Sequence, residues 1–304
     1  MKRYRISCFD FDARANILNM EIKPEWKQKI KEQCQKNKKI VEEGLLGEFG
    51  TIDGQNKINR FRELGAKPIS IIAHHNMLLN QTRSSYIQGG FYPALTSSCA
   101  LGERILNHLM LDLRDGFNHL KEEPLGHPCN ECEKFKELKA KGLIKIKFDL
   151  YSCADCSNWN IMIKELEKWD VLNVEVSELF QKLSGKRHKS IHFNPKTIQN
   201  LKSESLETIK ILQDIIQKLF PAFGSDYFIP AKGEAFLKKE LESKPFFKKY
   251  YLPNSTLVSP YHRVKTVTSN LEIEDVKIEN DTKITDDEFI RLREDFNKNG
   301  ILPK

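Results

Sequence analysis

Three features of the sequence predict a mainly α fold, with a zinc-binding insertion and small α+β extensions. Long stretches repeat apolar residues at helical spacing. One internal segment carries two Cys-x-x-Cys pairs. Alternating, strand-like runs are confined to short pieces, most of them near the two ends of the chain.

Residues 4–22 alternate loosely through Ile6, Cys8, Phe9 and Phe11, predicting an extended stretch or hairpin. After Pro24, the positions Trp26, Ile30, Cys34, Ile40, Val41, Leu45 and Phe49 follow a helical period. The glycines within 47–57 break that helix. A second helical run follows, with Ile69, Ile72, Met77 and Leu79 marking its buried side. Beyond the breaker QGGFYP, Pro93 suits a first helical turn, and Leu95, Cys99, Leu101, Ile105, Leu109 and Leu113 form a broad apolar face. Helical periodicity returns over 159–183 and again over about 197–219, where Ile198, Leu201, Leu206, Ile209, Leu212, Ile216 and Leu219 face inward. From 221 onward the pattern is mixed: 236–241 reads as helix, 257–276 as strands, and a helix from Asp286 closes the chain.

The composition sets outer bounds on function. The chain has 304 residues, 39% hydrophobic and 30% charged, with a net charge of +7, which suits a solvated globular surface. No window approaches the roughly 18 unbroken apolar residues of a membrane helix. Asp10 and Asp12 fall where a secretion signal needs its apolar stretch, so a cytoplasmic protein is expected. Reduced thiols or metal ligands then explain the seven cysteines better than disulfides do. Cys8, Cys34 and Cys99 read as small buried hydrophobes.

Cys129 and Cys132 form one Cys-x-x-Cys pair, Cys153 and Cys156 the other, separated by about 20 residues. Each pair supplies two thiolates to one tetrahedral ion, and four protein ligands leave no open position. A structural zinc ion is therefore expected within the segment at about 121–158. His127 is a further candidate ligand beside Cys129.

The stretch LSGKRHKSIHFNPKTIQNLKSESLETIKILQDIIQKLF places Arg187, four residues and then His192 just ahead of a long amphipathic helix. This resembles the HEPN family, whose signature is Arg, four to six residues, then His, near the end of a helical hairpin. The position after the Arg is polar in that family and is His188 here. The helix TSSCALGERILNHL also resembles the family's first long helix, with Glu103 on its inner side. The resemblance covers about 65–220 and implies an N-terminal extension over 1–64 and a C-terminal α+β extension over 221–304. A second match to the loose pattern runs from Arg114 to His119, so spacing alone does not choose between them.

The resemblance implies a metal-independent endoribonuclease with no cofactor for catalysis. Arg187 and His192 would be its catalytic pair, helped by His188. Such chemistry needs a group that moves a proton near neutral pH, as imidazole does, and a cation on the phosphate, as guanidinium supplies. RNA would be the partner and substrate. The resemblance further implies a homodimer, a toxin or antiviral defence role, and an inhibitory partner. Two other readings stand beside it. One is a non-catalytic RNA- or partner-binding protein whose helical core serves dimerisation, with His192 a packing residue between Ile191 and Phe193. The other is a phosphohydrolase built on Asp10 and Asp12.

Overall fold

The computed structural model describes residues 2–7, 12–113, 159–191, 199–267, 270–276 and 283–300. It is mainly helical, as the periodicity predicts. Two compact units divide the chain: Asp10–Leu219 is helical, and Met1–Phe9 together with Phe220–Lys304 forms an α+β unit. Residues 10–64 fall in the helical unit.

Four helices open the helical unit: α1 (Arg14–Asn19), α2 (Gln28–Phe49), α3 (Gly54–Leu64) and α4 (Ala73–Ile87). Where an extended stretch or hairpin is expected over 4–22, the described residues hold a short strand, described below, and then α1. In α2 only Cys34 and Leu45 are buried, while Ile30 and Ile40 are exposed. Its lysine-rich first half is a solvated face. The helical run expected after residue 57 is two helices rather than one. Gly65 turns the chain between them at φ +71, a conformation that suits the residue without a Cβ. Met77, expected inside, is exposed.

α5 (Phe91–Leu113) is the axis of this unit and packs against α4 and three later helices. Those are α6 (Trp159–Lys168), α7 (Val174–Ile191) and α8 (Leu201–Leu219). Because α5 has neighbours on several sides, its buried residues form more than one stripe, including Leu95, Leu101, Ile105, Leu106, Leu109 and Met110. Gly102 lets α7 come close. A Cβ there would run into Leu183 and meet Trp159 Cη2 at 3.3 Å. Gly102→Val is expected to overpack this contact and cost about 1–3 kcal/mol of stability, read by denaturant unfolding.

The α+β unit holds a sheet of β1 (Arg3–Ile6), β2 (Phe228–Ala231), β3 (Glu234–Leu237) and β4 (Ser255–Val258), in the order β2-β3-β1-β4. All its pairings are antiparallel. Residues 236–241, expected as helix, instead end β3 at Leu237 and turn through a short 3-10 helix at 239–241. Pairing of Ile229 with Phe236 takes precedence there over local helical pattern. α9 (Pro245–Tyr250) brings Phe246, Phe247 and Tyr250 inward, beside Phe220 and Tyr251. β5 (Arg263–Val267) and β6 (Asn270–Glu274) form a separate antiparallel pair.

α10 (Asp286–Asn299) starts where the Thr285 hydroxyl accepts from the Glu288 amide at 3.2 Å. Three acidic residues in its first turn complement the helix dipole. Its Phe289 packs on Phe236, and its Arg293 is buried.

Candidate active site

Arg187 lies just before the last turn of α7, and Glu103 lies midway along α5. The close approach at Gly102 sets the two side chains against each other. Arg187 Nε donates to Glu103 Oε2 at 2.9 Å, and Nη2 donates to Oε1 at 3.1 Å. This is a bidentate fork, the geometry that suits guanidinium and carboxylate. Of the five guanidinium N–H groups, the carboxylate takes two. Among the described residues both on Nη1 and one on Nη2 have no acceptor, and about a third of the side chain is open to solvent (37%). One edge is therefore clamped, and the other is available to an oxyanion.

The surroundings hold this arrangement rigidly. Ser190 Oγ donates to the Arg187 carbonyl at 2.9 Å, tightening the end of α7. Cys99, one turn before Glu103, is buried beside Ser190, and burial pushes its thiol up to about 11, so it stays protonated. Lys186 bridges to α8 through Glu204 at 2.7 Å and Glu207 at 2.5 Å. Burial works against its charge, but the two carboxylates outweigh that and raise its pKa. Lys186 is thus spent on holding α7 to α8. His188 and Lys189 follow on the exposed side of the last turn, where positive charge complements the helix dipole.

Of the residues singled out from sequence, the structure brings Arg187 and Glu103 together and places His188 beside them. His192 lies outside the described residues, as do Arg114 and His119 of the rival match. The four cysteines expected to bind zinc, and His127, also lie outside them, as does Asp10. Among the described residues, no group of three or more His, Cys, Asp or Glu side chains is arranged to hold a metal ion.

The histidine pair on α4 separates into two roles. His75 is buried against Ser70 Oγ at 3.2 Å, and burial holds its pKa near 3. His74 sits 3.0 Å from Arg104 Nη1 on α5. Sequence reasoning missed Asn107. Its Oδ1 is buried with no hydrogen-bond partner among the described residues, one turn beyond Glu103 on α5. The i, i+4 relation to Glu103 was the signal that could have found it.

No helix among the described residues is long and apolar enough to cross a membrane. No family model matches the chain, and neither curated proteins nor solved structures match it.

Proposed function

We propose that this chain is a metal-independent endoribonuclease of the HEPN type. The single observation that carries the reading is the Glu103–Arg187 fork. A motif arginine with no role would sample solvent freely. This one is locked by an acid from the neighbouring long helix, and about a third of its side chain stays open to solvent. Preorganised donors of that kind stabilise charge developing on a phosphate without reorganising during reaction.

In this reading Arg187 binds a non-bridging oxygen of the scissile phosphate, and His192 transfers a proton. The ribose 2′-oxygen attacks phosphorus as its proton departs, and the 5′-oxygen leaves as it gains one. The products are a 2′,3′-cyclic phosphate and a 5′-hydroxyl. DNA lacks the 2′-OH and is spared. His188 orients the pair or binds an adjacent phosphate. A homodimer with the two motifs facing each other across a twofold axis, and a toxin or defence role restrained by an inhibitory partner, belong to the same proposal.

The test is incubation of total RNA with the protein in EDTA, beside His192→Ala. Cleavage by the parent that yields cyclic phosphate ends, and its loss in the variant, would support the reading. Intact RNA with both proteins would end it.

A structural zinc ion on Cys129, Cys132, Cys153 and Cys156 is part of the proposal, resting on their spacing. Binding free energy at such a site is folding free energy. Cys132→Ser is expected to lower zinc content, by elemental analysis, and melting temperature together. A folded parent protein without zinc would sink this part.

A further inference from the structure

The surface beside the Glu103–Arg187 fork carries a second group of nitrogen bases that the proposed reaction does not use. We propose that Arg104, with His74 and His108 beside it, binds a phosphate flanking the scissile one, so that the RNA strand crosses α5 toward α4. The choice of RNA as the ligand rests on the nuclease reading above.

Arg104 directly follows Glu103 on α5, so its Cα lies about 3.8 Å from that of the fork's acid. Successive residues of a helix point about 100° apart, which turns Arg104 from the α7 side of α5 to the α4 side. There its Nη1 lies 3.0 Å from His74 Nε2. Both oxygens of Glu103 bind Arg187.

Arg104 is exposed, and among the described residues its guanidinium pairs with no carboxylate. Its hydrogen bond runs to a neutral ring. A guanidinium only donates, so His74 accepts through Nε2 and keeps its own proton on Nδ1. The other four N–H groups of Arg104 have no acceptor among the described residues.

His108 lies one turn further along the same exposed stripe of α5, and Asp112 one turn beyond that. Burial lowers the pKa of His108, Asp112 opposes the shift, and Arg104 and His74 add to it. The charge of Arg104 is thus felt at His108, and an anion set between them would offset it.

A guanidinium flanked by two imidazoles suits phosphate. The planar fork takes two oxygens, and each ring adds a hydrogen bond or, once protonated, a charge. Arg104 and His108 sit on an open helix face, which fits a backbone that continues past the site.

The experiment is fluorescence anisotropy with a labelled RNA of about 12 nucleotides, fully 2′-O-methylated so that it binds but offers no 2′-OH for cleavage. Titrations are repeated across a salt series. Arg104→Gln should weaken binding about tenfold. It should also reduce the slope of log K against log salt by about 0.7, one phosphate contact on a single strand. Arg104→Lys keeps the charge and should keep the slope. Lys36→Gln, at an exposed position of α2, should bind as the parent does. No binding by the parent would overturn the proposal, as would equal affinity of Arg104→Gln and the parent, or an equal loss in Lys36→Gln. Cleavage of total RNA in EDTA reports separately on the nuclease. Cleavage with an unaltered Arg104→Gln affinity would remove this phosphate site alone. RNA that is bound through Arg104 but never cleaved would remove the nuclease alone.

Discussion

His192→Ala is expected to slow RNA cleavage by about 10²–10⁴-fold, the usual effect of removing a general acid or base. Arg187→Ala should lose a comparable amount. Arg187→Lys should not rescue it, because an ammonium cannot hold Glu103 and a phosphate with one rigid fork. In the proposed reading Glu103 acts through Arg187 rather than on substrate, and a double-mutant cycle tests that positioning role. Glu103→Gln should reduce kcat in the parent yet cause little further loss in an Arg187→Ala background. Losses that simply add would reduce the fork to an interhelical clamp. His119→Ala should leave cleavage largely intact. If that variant is inactive and His192→Ala is not, the rival Arg114–His119 match carries the chemistry.

Glu234→Ala is expected to destabilise the α+β unit by about 3–5 kcal/mol, the cost of leaving buried charge unpaired. Glu234 lies under two arginines. Arg293 grips it at 2.7 and 2.9 Å, and Arg5 approaches to 3.2 Å. Arg293 also donates to the carbonyls of Pro260 and His262, and the Arg5 Nε is already buried without a partner. Burial alone would raise the Glu234 carboxyl, but Arg293 and Arg5 bring it below its ordinary value. Removing the carboxylate leaves both guanidiniums facing each other across a dry site. Denaturant unfolding checks the size, and a loss below about 1 kcal/mol would refute the account.

Acid should act on the same network. His262 is fully buried, with Nδ1 2.7 Å from the Ser259 carbonyl and Nε2 3.2 Å from Arg5. Burial, reinforced by the two arginines, lowers its pKa from 6.5 to about 4. Between those values the unfolded chain holds the extra proton, so stability falls as pH drops from about 6.5 toward 4. The depressed Glu234 adds a loss of the same sign at the lower end of that window.

The helices were legible because their apolar residues recur over several turns, and the inward Phe289 and Phe296 of α10 follow directly from that period. The split between α3 and α4 was not, since it depends on a left-handed turn at Gly65 and on Ser70 binding back to Asn76. Nor was β3. Its local pattern is helical, and only partners remote in sequence, Arg5 and Ile229, make it a strand. At the candidate site, Glu103 and Arg187 were each visible as residue types. Their fork required knowing that Gly102 lets two helices touch.

The position of β1 governs how the protein can be made. Arg3–Ile6 sits inside the sheet, pairing on one side with residues 235–236 and on the other with 255–258. The whole helical unit lies between these partners in chain order. On a ribosome adding about 5–20 residues per second, the first strand waits on the order of tens of seconds for neighbours that do not yet exist. The helices can mature during that interval, whereas the sheet closes only once residues 255–258 have been made. Closing so long a loop adds little free-energy cost, since that cost grows only logarithmically, but it slows folding. Arg3 must later reach Asp286 at 2.7 Å and the Ile284 carbonyl at 2.9 Å. A bulky group inserted next to Arg3–Ile6 would therefore weigh on closure of the sheet, whereas one at an exposed turn of the helical unit would not.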